Sequence, residues 1–80
     1  MSFNTDIIDK IVQYKSVSKK KKIDRLLEIE SNYIANNIGI NISKSQKNNI
    51  RKNSRYIYRA ISKINQEVGN KFLQAQDKDA

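Results

Sequence analysis

Ile50, Ile57, Ile61, Ile64, Val68 and Phe72 recur at steps of 7, 4, 3, 4 and 4, the strongest periodic signal in this chain. Such steps keep side chains on one face of an α-helix, so a long amphipathic helix is expected here rather than a strand. Ser43-Lys44-Ser45-Gln46 stands before it with the form of a capping box, Ser43 as N-cap and Gln46 reaching back. A second row shares the segment. Lys44, Lys47, Arg51, Arg55, Arg59 and Lys63 follow one another at steps of 3, 4, 4, 4 and 4. At about 100° per residue the basic row lies about 150° from the apolar one.

The rest of the chain also reads as helix. Pro is absent and the two Gly are Gly39 and Gly69, so turn chemistry is scarce. A first helix is expected from about Thr5 to Lys15, with Thr5 as N-cap and Asp6 suited to the positive end. Ile8, Ile11, Val12 and Lys15 mark one face of it, with Ile7 and Tyr14 beside them. A second runs from near Ser18 to Ile38, with Ile23, Leu26, Leu27, Tyr33, Ile34 and Ile38 on one face. Gly39 serves as its C′ residue, and Ser31 offers a cap that would split it in two. The third starts at Ser43, and Gly69 ends or bends it. Gln74 to Ala80 reads as a frayed polar tail. The expected fold is all-α, a small three-helix domain over residues 1–74 with a long amphipathic C-terminal helix, followed by a flexible tail over 75–80.

Size and composition narrow the function classes. A chain of 80 residues with 38 % hydrophobic content buries only about 60 % of its unfolded surface, so self-association into a homo-oligomer is expected. There is no Cys and no His, which excludes thiol chemistry, the usual zinc sites and His-based acid–base catalysis. The lack of disulfides points to a cytoplasmic protein. No apolar run approaches a membrane span, and MSFNTDIIDK lacks the basic leader and apolar segment of a signal peptide. Asp6, Asp9, Asp24, Glu28 and Glu30 have no catalytic or metal-binding spacing; Asp24 and Glu28 more simply offset Lys20, Lys21 and Arg25. With no nucleophile–base pair and no phosphate-cradling Gly loop, neither enzyme activity nor a cofactor or metal is expected.

Charge is the positive indication. The chain carries +8 with a pI near 9.9. No acid occurs between Glu30 and Glu67, and residues 44–63 alone carry +7. Along the basic row, four like-charge i,i+4 pairs cost about 1–2 kcal/mol together. An ordinary solvated face, the bland alternative, mixes signs and avoids that cost. The row therefore reads as a face for a polyanion. Lys44, Lys47, Arg51, Lys52, Arg55, Arg59 and Lys63 are the candidate phosphate contacts, and Asn48 a candidate base reader. Tyr58 and Ser62 fall within the face and Tyr56 at its border. Lys19, Lys20, Lys21 and Lys22 form a second candidate patch. If the first helix ends just before them, they complement its negative C-terminal end.

Tyr33-Ile34-Ala35-Asn36-Asn37-Ile38-Gly39-Ile40 resembles the first half of a helix-turn-helix. Ala35 is the small residue four before the turn Gly, and Ile34, Ile38 and Ile40 are apolar where the motif wants them. Ser43 to Gln46 then resembles the start of a recognition helix, with Ile50 as its late core position. Asn41-Ile42 lengthens the turn by two residues, and Lys47 stands where an apolar residue is expected. A plain helical hairpin capped at Gly39 is the competing reading.

Double-stranded DNA binding by a small regulatory or accessory protein is the leading expectation. Docking of the basic helix on an acidic protein surface is the alternative. RNA binding with Tyr56 and Tyr58 stacking on bases is a third reading, and a helix lying on anionic lipid a fourth. Abundant Ile, Asn and Lys, the residues of A/T-rich codons, fit a phage, plasmid or other mobile element.

Overall fold

A computed structural model describes residues 3–37, 39 and 42–78. These form four helices: α1 (Thr5–Gln13), α2 (Lys19–Asn37), α3 (Lys44–Ile64) and α4 (Gln66–Lys78). The fold is all-α, with one helix more than the sequence suggested.

Each helix has a local reason to begin where it does. For α1 the cap is Asn4, one residue before the expected Thr5: its Oδ1 accepts from the Asp6 and Ile7 amides at 3.0 and 3.3 Å. At the head of α2, Ser18 Oγ accepts from the Lys21 amide at 3.2 Å, and the helix runs through Ser31 unbroken. It stops where Asn37 Nδ2 donates to the Tyr33 carbonyl at 2.7 Å. The expected last helical residue, Ile38, on which the reading of Gly39 as C′ residue depends, lies outside the described residues. In α3 both halves of the capping box form: Gln46 N–H to Ser43 Oγ at 3.1 Å and Ser43 N–H to Gln46 Oε1 at 2.9 Å.

The long third helix breaks at Asn65. That residue closes α3 through its amide on the Ile61 carbonyl, 2.8 Å. Its side chain accepts from the Val68 amide at 3.3 Å and so opens α4. Glu67 then sits in the first turn of α4, where the helix dipole favours an acid. Gly69, the expected break, is buried inside α4. The expected tail is also corrected in part: Gln74 to Lys78 are helical, while Asp79 and Ala80 lie outside the described residues.

Neighbouring helices run in opposite directions. Phe3 packs edge-on against Tyr33, ring centroids 5.1 Å apart, while Lys22 at the other end of α2 reaches Val12 at the end of α1. Asn53 on α3 donates to Tyr33 Oη at 2.8 Å, about one turn before the end of α2. Further along, Tyr58 of α3 lies beside Glu30 of α2, so the two helices run in opposite directions. Along the other flank of α3, Phe72 stacks on Tyr58 with centroids 5.1 Å apart. The four-residue step from Ile64 to Val68 carries the apolar period across a chain reversal, so the sequence pattern looks continuous where the backbone is not.

The core lies between α1, α2 and α3. Ile8, Leu26, Ile57 and Ile61 are fully buried, joined by Ile11 and Ala60. Val68 and Phe72 of α4 pack at its edge. Gly69 abuts Ser62 closely enough that a β-carbon there would collide with the Ser62 side chain and backbone. Glu30 is buried at the α2–α3 junction, its Oε2 without a hydrogen-bond partner. Burial, then the adjacent Glu30 carboxylate, push the Tyr58 phenol above its ordinary value. The hydrogen bond that Tyr56 Oη donates to Asp9, 2.7 Å, raises the Tyr56 phenol likewise.

Candidate nucleic-acid interface

The basic row is not one straight stripe. Steps of four advance about 40° each around a helix of 3.6 residues per turn, so the row drifts from one flank of α3 to the other. Arg51 and Arg55 share a sector with Tyr58 and Ser62, the sector that α4 covers. Asn48, Lys52, Arg59 and Lys63 share the next, between α4 and the border residue Tyr56, which contacts α1.

The two sectors differ in occupancy. Arg51 Nη2 donates to the Gln76 carbonyl at 2.7 Å, and Gln76 Nε2 donates back to the Arg51 carbonyl at 2.9 Å. Arg55 pairs with Asp77 at 2.8 Å and also reaches Gln76 Oε1 at 3.4 Å. The C-terminal end of α4 thus supplies these arginines with a carboxylate, a side-chain amide oxygen and one end-of-helix carbonyl, which belongs to the negative pole of the helix dipole. Part of the like-charge strain in the row is relieved within the chain. Neither Gln76 nor Asp77 was anticipated as part of the face. The signal that would have found them is Asn65 followed by Glu67, an N-cap with an acid in the first turn, which marks a new helix able to fold back.

Lys44, Lys47, Asn48, Lys52, Arg59 and Lys63 are exposed. None of these five cations has an ion-pair partner among the described residues. Lys19, Lys20 and Lys21 are exposed as well. Lys22 is half-buried and donates its Nζ proton to the Val12 carbonyl at 3.0 Å, the complement to the end of α1 that the sequence implied. Val12 also lines a shallow cleft with Lys63, Tyr56, Gln13 and Asp9. Lys22 and Lys63 thus both lie near the end of α1 but border different sides of it, Lys22 with Ile11 and Tyr14 and Lys63 with Asp9 and Val12.

The other acids take structural places. Glu28 pairs with Arg25 at 2.8 Å, both well exposed. Asp9 is engaged by Tyr56. Among the described residues there is no cluster of three or more acidic, His or Cys ligands for a metal ion, and no helix is long and apolar enough to cross a membrane. No protein-family model, curated protein or solved structure matches the chain.

Proposed function

We propose that this chain is a non-enzymatic nucleic-acid-binding protein, with double-stranded DNA favoured over RNA, acting in a regulatory or accessory role as a cytoplasmic homo-oligomer. A mobile-element origin is in keeping with its size and composition. The observation that carries the reading is the open sector of α3, exposed Lys52, Arg59 and Lys63, joined at the start of the helix by exposed Lys44 and Lys47, on a helix with no acid of its own. Lysine and arginine on such a surface neutralise phosphates and release counterions. Asn48, exposed among them, suits the edge of adenine in a major groove. Exposed Lys19, Lys20 and Lys21 would supply a second cationic patch.

Fluorescence anisotropy with duplex DNA, single-stranded DNA and RNA over a salt series tests this. Duplex is expected to bind best, and Lys52→Ala/Arg59→Ala to flatten the log–log salt slope by about two. Arg51→Ala/Arg55→Ala is expected to flatten it less, because α4 already engages those two side chains. Absence of duplex binding at low salt refutes the reading.

The second reading, an acidic protein as partner, draws on one specific contact. Asp77 on Arg55 and Gln76 on Arg51 are the interactions that an acidic helix from another protein would make with this face. Capture of such a protein by a preparation that ignores free DNA would favour it.

A further inference from the structure

The opening turns of α3 differ from the rest of the helix. Every residue from Lys44 to Asn49 is exposed, and the first buried residue of α3 is Ser54. The neighbouring helices meet α3 further along. α4 reaches back as far as Arg51, through Gln76, and α1 engages Tyr56 through Asp9. Among the described residues of the other helices, the end of α2 lies beside the opening turns, where Tyr33 and Asn37 share a small cleft with Gln46, Asn49 and Ile50. α3 therefore begins as a projecting end. At 1.5 Å per residue the span from Lys44 to Asn49 is about 9 Å long, and a major groove is about 8.5 Å deep and about 12 Å wide.

One stripe of α3 stays open along the helix, and its chemistry changes on the way. Ser45, Asn48, Asn49 and Lys52 stand at i, i+3, i+4 and i+7, one face of a helix, and Arg59 and Lys63 continue it. Before Lys52 the stripe is uncharged; from Lys52 onward its open side chains are cationic. Other uncharged polar groups of α3 are engaged: Gln46 completes the capping box, Asn53 donates to Tyr33 and Tyr56 donates to Asp9. Ser45, Asn48 and Asn49 are exposed and hold no side-chain hydrogen bond among the described residues. The difference matters for what each half can recognise. A cation neutralises phosphate whatever the sequence, and so positions a protein without reading the bases. A primary amide donates and accepts at once and matches N6 and N7 of adenine; a hydroxyl can serve any base edge.

We propose that Ser45, Asn48 and Asn49 form a base-reading face that enters the major groove of duplex DNA, each Asn selecting an adenine, while Lys52, Arg59 and Lys63 stay on the phosphates. The proposal rests on the DNA reading above and adds where on α3 sequence is recognised. Packing divides the work. From Tyr56 onward α3 has α1 on one side and α4 on the other, and two helices packed about 8–10 Å apart are together wider than the groove. The second half of α3 is thus held at the level of the phosphates, and the projecting end is the part that fits between them. Charge agrees, since α3 has no acid to meet the phosphates on either side. Asn49 is the residue that this adds to the candidates: it lies beside the basic row, so charge periodicity passes over it.

Selection from a random duplex library by the full chain, followed by fluorescence anisotropy on selected and scrambled duplexes, tests this. The selected duplexes are expected to carry adenine at two fixed positions and to bind at least about thirtyfold more tightly than scrambled ones. Asn48→Ala and Asn49→Ala each cut that ratio by at least about fivefold and relax the preference at one position. Lys63→Ala lowers both affinities together and flattens the salt slope by about one. Ala is a better helix former than Asn at an exposed position, so both Asn variants should fold, which circular dichroism checks. Equal affinity for selected and scrambled duplexes, or a ratio that survives both Asn variants, overturns the base-reading face while DNA binding stands. A wild type that binds no duplex at low salt overturns the DNA reading and this face with it.

Discussion

On one flank of α3, Ile57 and Ile61 are fully buried against Leu26 and Ile8. On the other, α4 is held by a glycine contact at Ser62, one stacked aromatic pair and a fringe of polar bonds from Arg51 and Arg55. The first flank excludes water mainly with branched aliphatic side chains, with Ala60 and Ser54 as the small buried residues of α3. The second brings two helices close through a missing β-carbon and finishes in exposed charge; Gly69 is its one buried residue within α4. The difference implies a hierarchy. The α1–α2–α3 body is expected to carry more of the stability per residue, even though α4 lies along much of α3.

The comparison breaks most sharply at the core. Ile57→Ala is expected to cost about 2–5 kcal/mol, a large part of the total stability of a small domain. Thermal or urea unfolding would show one cooperative transition moved far down. A shift under 1 kcal/mol would mean that the body is not the main source of stability.

Gly69→Ala comes next. Helix propensity alone predicts a gain of about 1 kcal/mol. The Ser62 backbone cannot give way, so a loss of about 1–3 kcal/mol is expected instead. Hydrogen exchange should show protection lost along α4 while α1 to α3 keep theirs. An equal loss throughout would mean that α4 and the body unfold as one unit.

Alkaline titration sharpens the boundary between the two flanks, because Tyr58 is stacked on α4 and lies beside buried Glu30. Its phenol is raised in the folded state, so the unfolded chain gives up this proton first. Stability is unaffected below about pH 10, the ordinary tyrosine value, and falls as pH rises above it. Tyr58→Phe should remove part of that fall. A wild-type alkaline profile with no fall beyond that of Tyr58→Phe would count against the burial of Tyr58.

The smallest expected change in stability comes from Asp77→Ala. Asp77 is 63 % exposed in its pair with Arg55, and such pairs are worth no more than about 1 kcal/mol. Its effect should appear in binding. With Arg55 released, the salt slope for duplex DNA is expected to steepen by about one unit. An unchanged slope would place Arg55 outside the phosphate-contacting set.

What could be read in the sequence follows from the range of each determinant. The Ser43–Gln46 capping box is complete within four residues and forms as read. The lysine contact at the end of α1 was readable too, because it joins consecutive elements. The break at Asn65 was hidden by a coincidence of spacing, since Ile61, Ile64, Val68 and Phe72 keep helical steps across it. Arg51 and Arg55 were correctly placed on the basic row, but their covering depends on a chain reversal at Asn65 that brings in Gln76 and Asp77 from more than 20 residues away. Glu30 shares helical spacing with Ile23, Leu26 and Tyr33, which predicts its burial; its charge made it look like a surface residue.

The single-residue junction at Asn65 works as a ruler. Because it ends one helix and starts the next without slack, the position of Asp77 relative to Arg55 is set by counting residues along α4. One residue inserted between Glu67 and Gln76 would turn Asp77 by about 100° and carry it about 1.5 Å along the axis. Arg55 would then face solvent with its pairing lost and no residue of the original sequence replaced. How much of the cationic surface is open is thus governed by helix length as well as by composition. Two chains of identical net charge could differ in their grip on a polyanion through one insertion far from any basic residue of α3.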